Sequence, residues 1–308
     1  MILHHYDGSP FSEKIRALLG YKNLAWQSVD IPVIMPRPDL MPLSGGYRRT
    51  PIFQIGADVY CDTALIARLI DRLAPDNTIY PEQSLAASTA VAAWMDSNLF
   101  RLAVSMVFQP RALATSELFS NPTMAAAFMK DRAQLTEGAG SLAIDQTVAI
   151  PAFFSQLRKL DQQLAHAPFL FGSEPTIADF STYHCCWFVY RVEVLQEDFA
   201  PYPNVLEWLA RMRAFGHGNS TVISGTQALD TALEASPENL QKTTLTDLDG
   251  LSVGDAVSVV PTDYGFQPVT GSLQVSSLEE IVLRRSDERV GEVAVHFPRQ
   301  GFQVTKAD

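Results

Sequence analysis

The first 80 residues carry the pattern that most constrains how this chain can fold. Apolar alternation predicts four strands, at residues 1–6, 24–31, 51–55 and 59–60. Helical spacing predicts two helices, at residues 10–21 and 62–73. Gly56-Ala57-Asp58 is a hairpin-turn signal between the last two strands. The segment 32–49 is rich in proline and glycine, with one short helix expected near residues 38–43. This βαβ-(α)-ββα order predicts a small mixed sheet with helices on its faces.

The pattern becomes helical after a linker that contains Pro75, Asp76, Asn77 and Pro81. Helical spacing predicts five further helices, at residues 85–106, 124–135, 149–165, 177–190 and 205–215. Prolines lie at or near the boundaries of these segments, where a helix tolerates them. We therefore predict a first domain over residues 1–80 and an all-α domain over residues 84–222.

The last part of the chain is rich in β-branched residues. One helix is expected near residues 225–235, and strand patterns follow at residues 255–260, 273–275, 280–284 and 290–296. Glycine and proline interrupt these patterns at short intervals, as in a small barrel or curled sheet of about five strands. A third, small β-rich domain is therefore predicted over residues 240–308.

Charge and composition exclude several classes of function. The net charge is −11, with residues 1–80 neutral, residues 81–222 at −4 and residues 223–308 at −7. An acidic chain without a basic stripe does not fit nucleic-acid binding. The sequence has no apolar run of about 18 residues and no basic, apolar leader, so neither a membrane span nor a secretory signal is expected. Cys61, Cys185 and Cys186 lie in apolar surroundings, which favours buried thiols and a cytoplasmic location.

A first candidate site is Ser9-Pro10-Phe11-Ser12, where the first strand gives way to the first helix. Proline suits the first helical turn, and this spacing leaves Ser9 at the helix N-cap. A hydroxyl at that point lies beside unpaired backbone N–H groups and the positive end of the helix dipole. Such a position stabilises an anion, including a thiolate. The alternative is that Ser9 is only a helix cap.

Two further motifs lie at other ends of the same predicted sheet. Thr50-Pro51 opens a strand and is a candidate for a cis peptide bond, which would turn backbone groups outward to pair with an extended peptide. An ordinary trans proline at a sheet edge is the alternative. Asp62-Thr63 begins a helix, where Thr63 and backbone N–H groups can hold a carboxylate and Asp62 can accept from an ammonium group. Asp62 as a simple N-cap is the alternative there. Together the three motifs fit a thiol, a peptide backbone and a zwitterionic end group.

These motifs, in this order, resemble the thioredoxin-like N-terminal domain of glutathione transferases. Gly172-Ser173-Glu174-Pro175-Thr176-Ile177-Ala178-Asp179 also resembles the N-capping box of the family's helical domain, so that the resemblance covers about residues 1–220. It implies a thioredoxin-like α/β domain followed by the all-α glutathione-transferase domain. The β-rich, barrel-like segment that follows is additional to the family pattern.

The resemblance implies a role for each motif. Ser9 would donate a hydrogen bond to the glutathione sulfur and favour its thiolate, which is the nucleophile. Thr50, at the cis Pro51 step, would pair with the cysteinyl backbone. The γ-glutamyl end would be bound by Asp62 and Thr63.

The glycyl carboxylate and the second substrate need further residues. The resemblance places a cation for the carboxylate near Arg37, with Arg48 or Arg49 as alternatives. Phe11 would flank the sulfur and face a hydrophobic electrophile, and we expect further wall residues from aromatic character and helix position at Trp94, Phe100 and Tyr190. Glutathione would be the co-substrate, with no metal, in a cytoplasmic homodimer.

The departures from the family pattern leave alternatives open. Ser-Pro-Phe-Ser replaces the Cys-x-x-Cys of thioredoxins, which argues against disulfide exchange through an enzyme thiol. A glutathione-dependent lyase or dehalogenase would share the same first site. A binding or regulatory protein that has lost turnover is a further alternative, suggested by the segment 245–308. That segment is expected to be a stability or assembly module rather than to cover the active-site mouth or bind a partner.

Overall fold

The first 80 residues form the predicted mixed sheet in a computed structural model that describes residues 1–139, 144–240, 244 and 250–307. Its strands and helices are β1 (Ile2–His5), α1 (Pro10–Tyr21), β2 (Ala25–Asp30), α2 (Met41–Ser44), β3 (Ile52–Ile55), β4 (Asp58–Cys61) and α3 (Thr63–Leu73). Strand β1 pairs in parallel with β2 and antiparallel with β3, which in turn pairs antiparallel with β4. The predicted element order is present, with α2 a few residues later than expected.

The second part of the chain is helical, as predicted. Its α-helices are α4 (Leu85–Trp94), α5 (Phe100–Val107), α6 (Pro110–Leu113), α7 (Glu117–Ser120), α8 (Pro122–Leu135), α9 (Gln146–Leu164), α10 (Ile177–Tyr190) and α11 (Pro203–Ala214). The predicted helix over residues 85–106 is interrupted by a π-helical turn, Met95–Leu99. Such turns are rare in proteins overall, and those that occur are often found at functional sites. Helices α6 and α7 carry no clear apolar period and were not predicted.

A buried carboxylate fixes the start of α10, the most buried helix of this region. Asp179 is fully buried and accepts hydrogen bonds from the backbone N–H of Thr176 at 2.9 Å and of Leu170 at 2.9 Å. It also accepts from the indole Nε1 of Trp208 at 3.1 Å on α11. The predicted capping box of Thr176 and Asp179 is therefore present, and it additionally ties α10 to α11.

The third part extends the first sheet. Its elements are β5 (Asn219–Val222), α12 (Gly225–Leu233), β6 (Ala256–Pro261), β7 (Val269–Ser276), β8 (Glu280–Asp287), β9 (Gly291–Pro298) and β10 (Phe302–Lys306). One ten-stranded sheet results, in the order β10-β6-β7-β8-β9-β4-β3-β1-β2-β5. Strand β9 pairs in parallel with β4, and β5 pairs in parallel with β2. The expected strand-rich segment is present, and β5 and β10 are additional to the strands that the sequence pattern predicts. Residues 241–243, 245–249 and 308 of the predicted third domain lie outside the described residues.

Alternation along the strands divides the apolar side chains between two cores. Leu3 and Phe53 belong to the core shared with α1, α3 and the helical region. Ile2 and Ile52 point to the opposite face, in a core that continues through α12 and strands β6 to β10. Because strand residues alternate between faces, one sheet can serve both cores. The C-terminal strands therefore share a core with the first 80 residues.

A buried histidine lies where the two halves of the sheet meet. His296 on β9 contacts the carboxylate of Asp58 on β4 through Nε2 at 3.0 Å and that of Glu280 on β8 through Nδ1 at 2.7 Å. Its ring stacks on Tyr60 with centroids 4.3 Å apart. Burial acts to lower the pKa of His296, but the hydrogen bonds to Asp58 and Glu280 outweigh it and raise that pKa above its usual 6.5.

This raised pKa gives the stability of the fold a specific pH dependence. The stabilisation by charged His296 is complete below about pH 6.5, where the unfolded chain also carries the proton, and is lost as the pH rises through the folded pKa. Urea unfolding at a series of pH values should show that the free energy of unfolding of wild type falls as the pH rises above ~6.5. The fall should be smaller in His296→Gln. The same pH dependence in both proteins would contradict a protonated His296.

Candidate functional site

The strand-to-helix turn positions the Ser9 hydroxyl as the sequence predicts. Ser9 is the N-cap of α1, with Pro10 in the first turn, and its Oγ accepts a hydrogen bond from the Ser12 backbone N–H at 3.2 Å. Among the described residues, no acceptor is found for the hydroxyl proton of Ser9. A free O–H at the positive end of a helix can donate to an anion.

The cis peptide bond predicted at Thr50-Pro51 is present. The side chain of Thr50 accepts a hydrogen bond from Arg37 Nη1 at 2.8 Å. Arg37 is buried, and three more of its five N–H groups donate to the backbone carbonyl oxygens of Pro32, Val33 and Arg48. Arg37 therefore supports the loop before Pro51, and a direct role of its guanidinium in binding a ligand carboxylate remains a prediction.

The start of α3 has the predicted capping geometry. Asp62 accepts a hydrogen bond from the Ala64 backbone N–H at 2.8 Å, and its own backbone has a φ of 75°. The neighbouring Thr63 hydroxyl accepts from Lys14 Nζ at 3.3 Å. Burial raises the pKa of Asp62. The backbone N–H groups at the start of α3 and the side chains of Asp62 and Thr63 together form one polar wall of the site.

A buried ion-pair network lies directly behind this wall. Lys14, at 1% exposed, pairs with Asp96 in the π-helical turn at 2.6 Å, and Asp96 also contacts His184 Nε2 at 2.9 Å. Burial acts to raise the pKa of Asp96, but Lys14 and His184 outweigh it and lower that pKa to about 2. The network joins α1, the π-helical turn and α10, so it fixes the first domain against the helical domain.

Removing the cation of this network should destabilise the fold. In Lys14→Met the Asp96 carboxylate stays largely buried but loses its main partner, so we expect the free energy of unfolding to fall by about 3 kcal/mol. Urea unfolding measures this change. The double variant Lys14→Met/Asp96→Leu should recover most of the loss, because it leaves no unpaired charge. A single variant as stable as wild type would contradict the account.

The three motifs converge on two adjoining cavities between the domains. The smaller has a volume of about 360 Å³ and is lined by Thr50, Pro51, Asp62 and Thr63, among others. The larger has a volume of about 1350 Å³ and includes Ser9 in its lining. Both cavities share Phe11, Arg49, Thr50, Phe100 and Tyr264. The site therefore consists of a smaller, polar cavity and a larger, open cavity, and the two meet close to the start of α1.

The larger cavity is lined mainly by aromatic and aliphatic side chains. Six of its lining residues are phenylalanines: Phe11, Phe100, Phe108, Phe119, Phe128 and Phe188. Phe11 packs edge-on against Phe100 with ring centroids 4.8 Å apart. Pockets of this character bind hydrophobic small molecules.

Comparison with known proteins identifies the family. One matching family model is described as the glutathione S-transferase N-terminal domain and covers residues 3–78, and another as the C-terminal domain and covers residues 132–211. The crystal structure of a GST-like protein from Pseudomonas syringae is 42% identical, covers 99% of both chains and superposes with a TM-score of 0.81. The chain belongs to the glutathione S-transferase family.

More distant members of the glutathione S-transferase family share the fold. A glutathione S-transferase from Methylobacillus flagellatus with GSH bound is 17% identical, with a TM-score of 0.51, and the match covers 71% of this chain and 99% of that one. A Tau class enzyme from mango, Mangifera indica, is 13% identical with a TM-score of 0.50, over 69% and 88% of the two chains. A comparison with functionally curated proteins gave no match.

The structure brings most of the sequence-predicted site residues of this glutathione S-transferase together. Phe100 lines both cavities, but Trp94 and Tyr190 line neither. Trp94 is 43% exposed on α4, and Tyr190 packs against Phe199 with ring centroids 5.2 Å apart. Aromatic character alone did not distinguish these two residues from wall residues, because the orientation of each helix decides which side chains face the cavity.

Sequence reasoning missed several residues that line the cavities, among them Tyr6, Asp263 and Tyr264. Tyr6, directly after β1, lines the same cavity as Ser9 and carries a second hydroxyl there. The position of Tyr6 at a strand end was a usable signal. Asp263 and Tyr264, from the loop between β6 and β7, line the smaller cavity. No local pattern places them there, because their position depends on the long-range pairing of β9 with β4.

The described residues contain neither a candidate membrane span nor a candidate metal cluster. No helix in this part of the chain is both long and apolar enough to cross a membrane. Within the same residues, no group of three or more histidine, cysteine, aspartate or glutamate side chains is arranged to hold a metal ion. The three cysteines are buried, and burial raises the pKa of the Cys186 thiol to about 12.

Proposed function

We propose that this glutathione S-transferase is a serine-type enzyme that joins the glutathione thiolate to a hydrophobic electrophile. The observation that carries the proposal is the Ser9 hydroxyl, which is free to donate at the start of α1 and lines a large apolar cavity. The thiol would release its proton to solvent, and the Ser9 O–H and the helix N-terminus would stabilise the resulting thiolate. The sulfur then bonds to the electrophilic carbon. In an aryl halide the halide departs with the electron pair of its bond to that carbon. In an epoxide or an α,β-unsaturated carbonyl compound the electron pair moves to the ring oxygen or to the enolate, which takes a proton from solvent.

The remaining motifs supply a place for each part of glutathione. The backbone of Thr50 would pair with the cysteinyl residue beside cis Pro51. At the start of α3, Asp62 would accept from the γ-glutamyl ammonium, and Thr63 with the helix N–H groups would hold its carboxylate. The glycyl carboxylate would be held either by Arg37 or by Arg49. A relative with GSH bound supports glutathione as the ligand.

The second substrate would occupy the larger cavity. Phe11 and Phe100 lie where the two cavities meet, so they would flank the sulfur and face the electrophile. Phe108, Phe119 and Phe188 would form the outer wall in place of Trp94 and Tyr190. Their aromatic rings favour an apolar, planar electrophile.

We also propose a cytoplasmic homodimer. Helix α4 presents an apolar surface on which Leu85 is 45% exposed and Trp94 is 43% exposed. Exposed apolar surfaces of this kind mark contacts with other proteins, and a second copy of the chain would cover it. This would give Trp94 a role at the interface instead of in the cavity.

Calorimetric titration with glutathione, followed by conjugation assays, tests the proposal. We expect saturable binding of glutathione and turnover with at least one class among aryl halides, epoxides and α,β-unsaturated carbonyl compounds. Halide release without a stable conjugate would favour a dehalogenase, which uses the same first site. Binding without turnover on any class would favour a regulatory protein. No binding of glutathione would contradict the proposal.

A further inference from the structure

The loop between β6 and β7 crosses from the C-terminal strands to the helical domain. At one end, the Thr262 backbone N–H donates to the carbonyl oxygen of Gly301 at 3.0 Å. In its middle, the Gly265 backbone N–H donates to the carbonyl oxygen of Leu135, at the end of α8, at 2.9 Å. Gly265 has a φ of 66°, and a Cβ there would lie 3.3 Å from Leu135 Cδ1. The loop is therefore fixed at both domains.

This loop holds one arginine of the site from two sides. Arg49 Nη2 donates to the Asp263 carboxylate and to the backbone carbonyl oxygen of Tyr264. The Tyr264 ring lies 3.9 Å from the Arg49 guanidinium carbon, within the range of a cation–π contact. Arg49 and Tyr264 line both cavities. The C-terminal strands thus determine where this guanidinium points.

Two residues of the smaller cavity each carry a buried donor that has no partner among the described residues. Arg49 Nε and the Tyr47 hydroxyl make no hydrogen bond within the described part of the chain. Tyr47 is only 1% exposed, and both residues line the smaller cavity. Buried donors are almost always paired, and an unpaired one is costly. A ligand acceptor oxygen that reaches these donors would satisfy them.

We propose that the loop of residues 262–267 is part of the glutathione site. Asp263 and Tyr264 hold Arg49 so that Arg49 Nε and the Tyr47 hydroxyl donate to a carboxylate of glutathione. Asp263 is a positioning residue, whereas Tyr47 and Arg49 touch the ligand. This inference rests on the proposed function and assigns a role in substrate binding to the C-terminal strands, which are additional to the family's two domains.

Calorimetric titration of the full-length protein tests this role. We expect Tyr47→Phe and Asp263→Ala each to weaken glutathione binding roughly tenfold, as for the loss of one hydrogen bond to a charged group. In a conjugation assay the KM for glutathione should rise while kcat and the KM for the electrophile stay close to wild type. Asp255→Ala is the matched control. Its carboxylate pairs with Lys306 in the same strands, it lines neither cavity, and it should bind as wild type.

A shortened ligand identifies which carboxylate is held. γ-Glutamylcysteine lacks the glycyl residue. If the variants lose affinity for glutathione but not for γ-glutamylcysteine, the carboxylate that is held is the glycyl one. Equal losses of affinity for both ligands assign the γ-glutamyl carboxylate. Either result, in variants with wild-type melting temperatures, supports the proposal. Wild-type affinity for glutathione in both variants would overturn it and leave the proposed function intact. No binding by wild type itself would overturn the proposed function, and this inference with it.

Discussion

We expect Ser9→Ala to lower kcat for glutathione conjugation by roughly 10²-fold, as for removal of one preorganised donor to an anion. The hydroxyl lies at the N-cap of α1 with no acceptor found among the described residues, so its proton is available to the sulfur. Without it, the thiol pKa of bound glutathione should rise toward that of free thiol. Ultraviolet absorbance of the thiolate across a pH series measures this pKa, and steady-state assays measure kcat.

Two matched variants sharpen this test. Ser12→Ala removes a neighbouring buried hydroxyl that lines neither cavity, and it should retain near wild-type kcat. Tyr6→Phe removes the other hydroxyl near the start of α1 in the larger cavity. Unchanged kcat and thiol pKa in Ser9→Ala would contradict the role of Ser9. If Tyr6→Phe instead lowered kcat and raised the thiol pKa, stabilisation of the thiolate would be assigned to the Tyr6 hydroxyl.

The largest effect on stability is expected from Asp179→Ala. The fully buried carboxylate accepts from the backbone N–H groups of Leu170 and Thr176 and from the indole N–H of Trp208. The Thr176 hydroxyl donates to it as well, so its removal leaves four buried donors unpaired and frees the start of α10. The free energy of unfolding should therefore fall by about 4 kcal/mol. Urea unfolding followed by circular dichroism measures the change.

Graded replacements test whether the hydrogen bonds cause this effect. Asp179→Asn keeps one acceptor oxygen and should lose less stability than Asp179→Ala. Asp145→Ala removes the exposed N-cap of α9, whose carboxylate accepts from the Thr147 backbone N–H, and should have a much smaller effect. Equal losses in Asp179→Ala and Asp145→Ala would contradict the buried network as the cause.

Local signals in the sequence were enough to predict the geometry of two of the three motifs. Ser9 before Pro10 was expected to cap α1 and Asp62 to cap α3, and each has that geometry. Local sequence left the Thr50-Pro51 bond open between cis and trans, and the family resemblance implied the cis form that is present. These features depend on residues close together in the chain, where proline and short polar side chains have strong preferences. The predicted roles of these residues toward a ligand remain to be measured.

The position of the C-terminal strands could not be predicted in the same way. Their pattern predicts strands, but it does not say that β9 pairs with the free edge of β4 instead of closing a separate barrel. An edge strand accepts any partner with free backbone groups, so pairing depends on long-range packing. Asp263 and Tyr264 reach the cavity only because of this pairing. The exposed position of Trp94 likewise depends on how α4 is turned, which its mostly alanine sequence does not reveal.

A crystal structure of the 308-residue chain with glutathione bound would show directly whether Ser9 holds the sulfur. We expect the glutathione sulfur within hydrogen-bond distance of Ser9 Oγ, the cysteinyl backbone paired with Thr50, and the γ-glutamyl group at Asp62 and Thr63. Glutathione bound with its sulfur away from the start of α1, or bound outside the two cavities, would contradict the role proposed for Ser9.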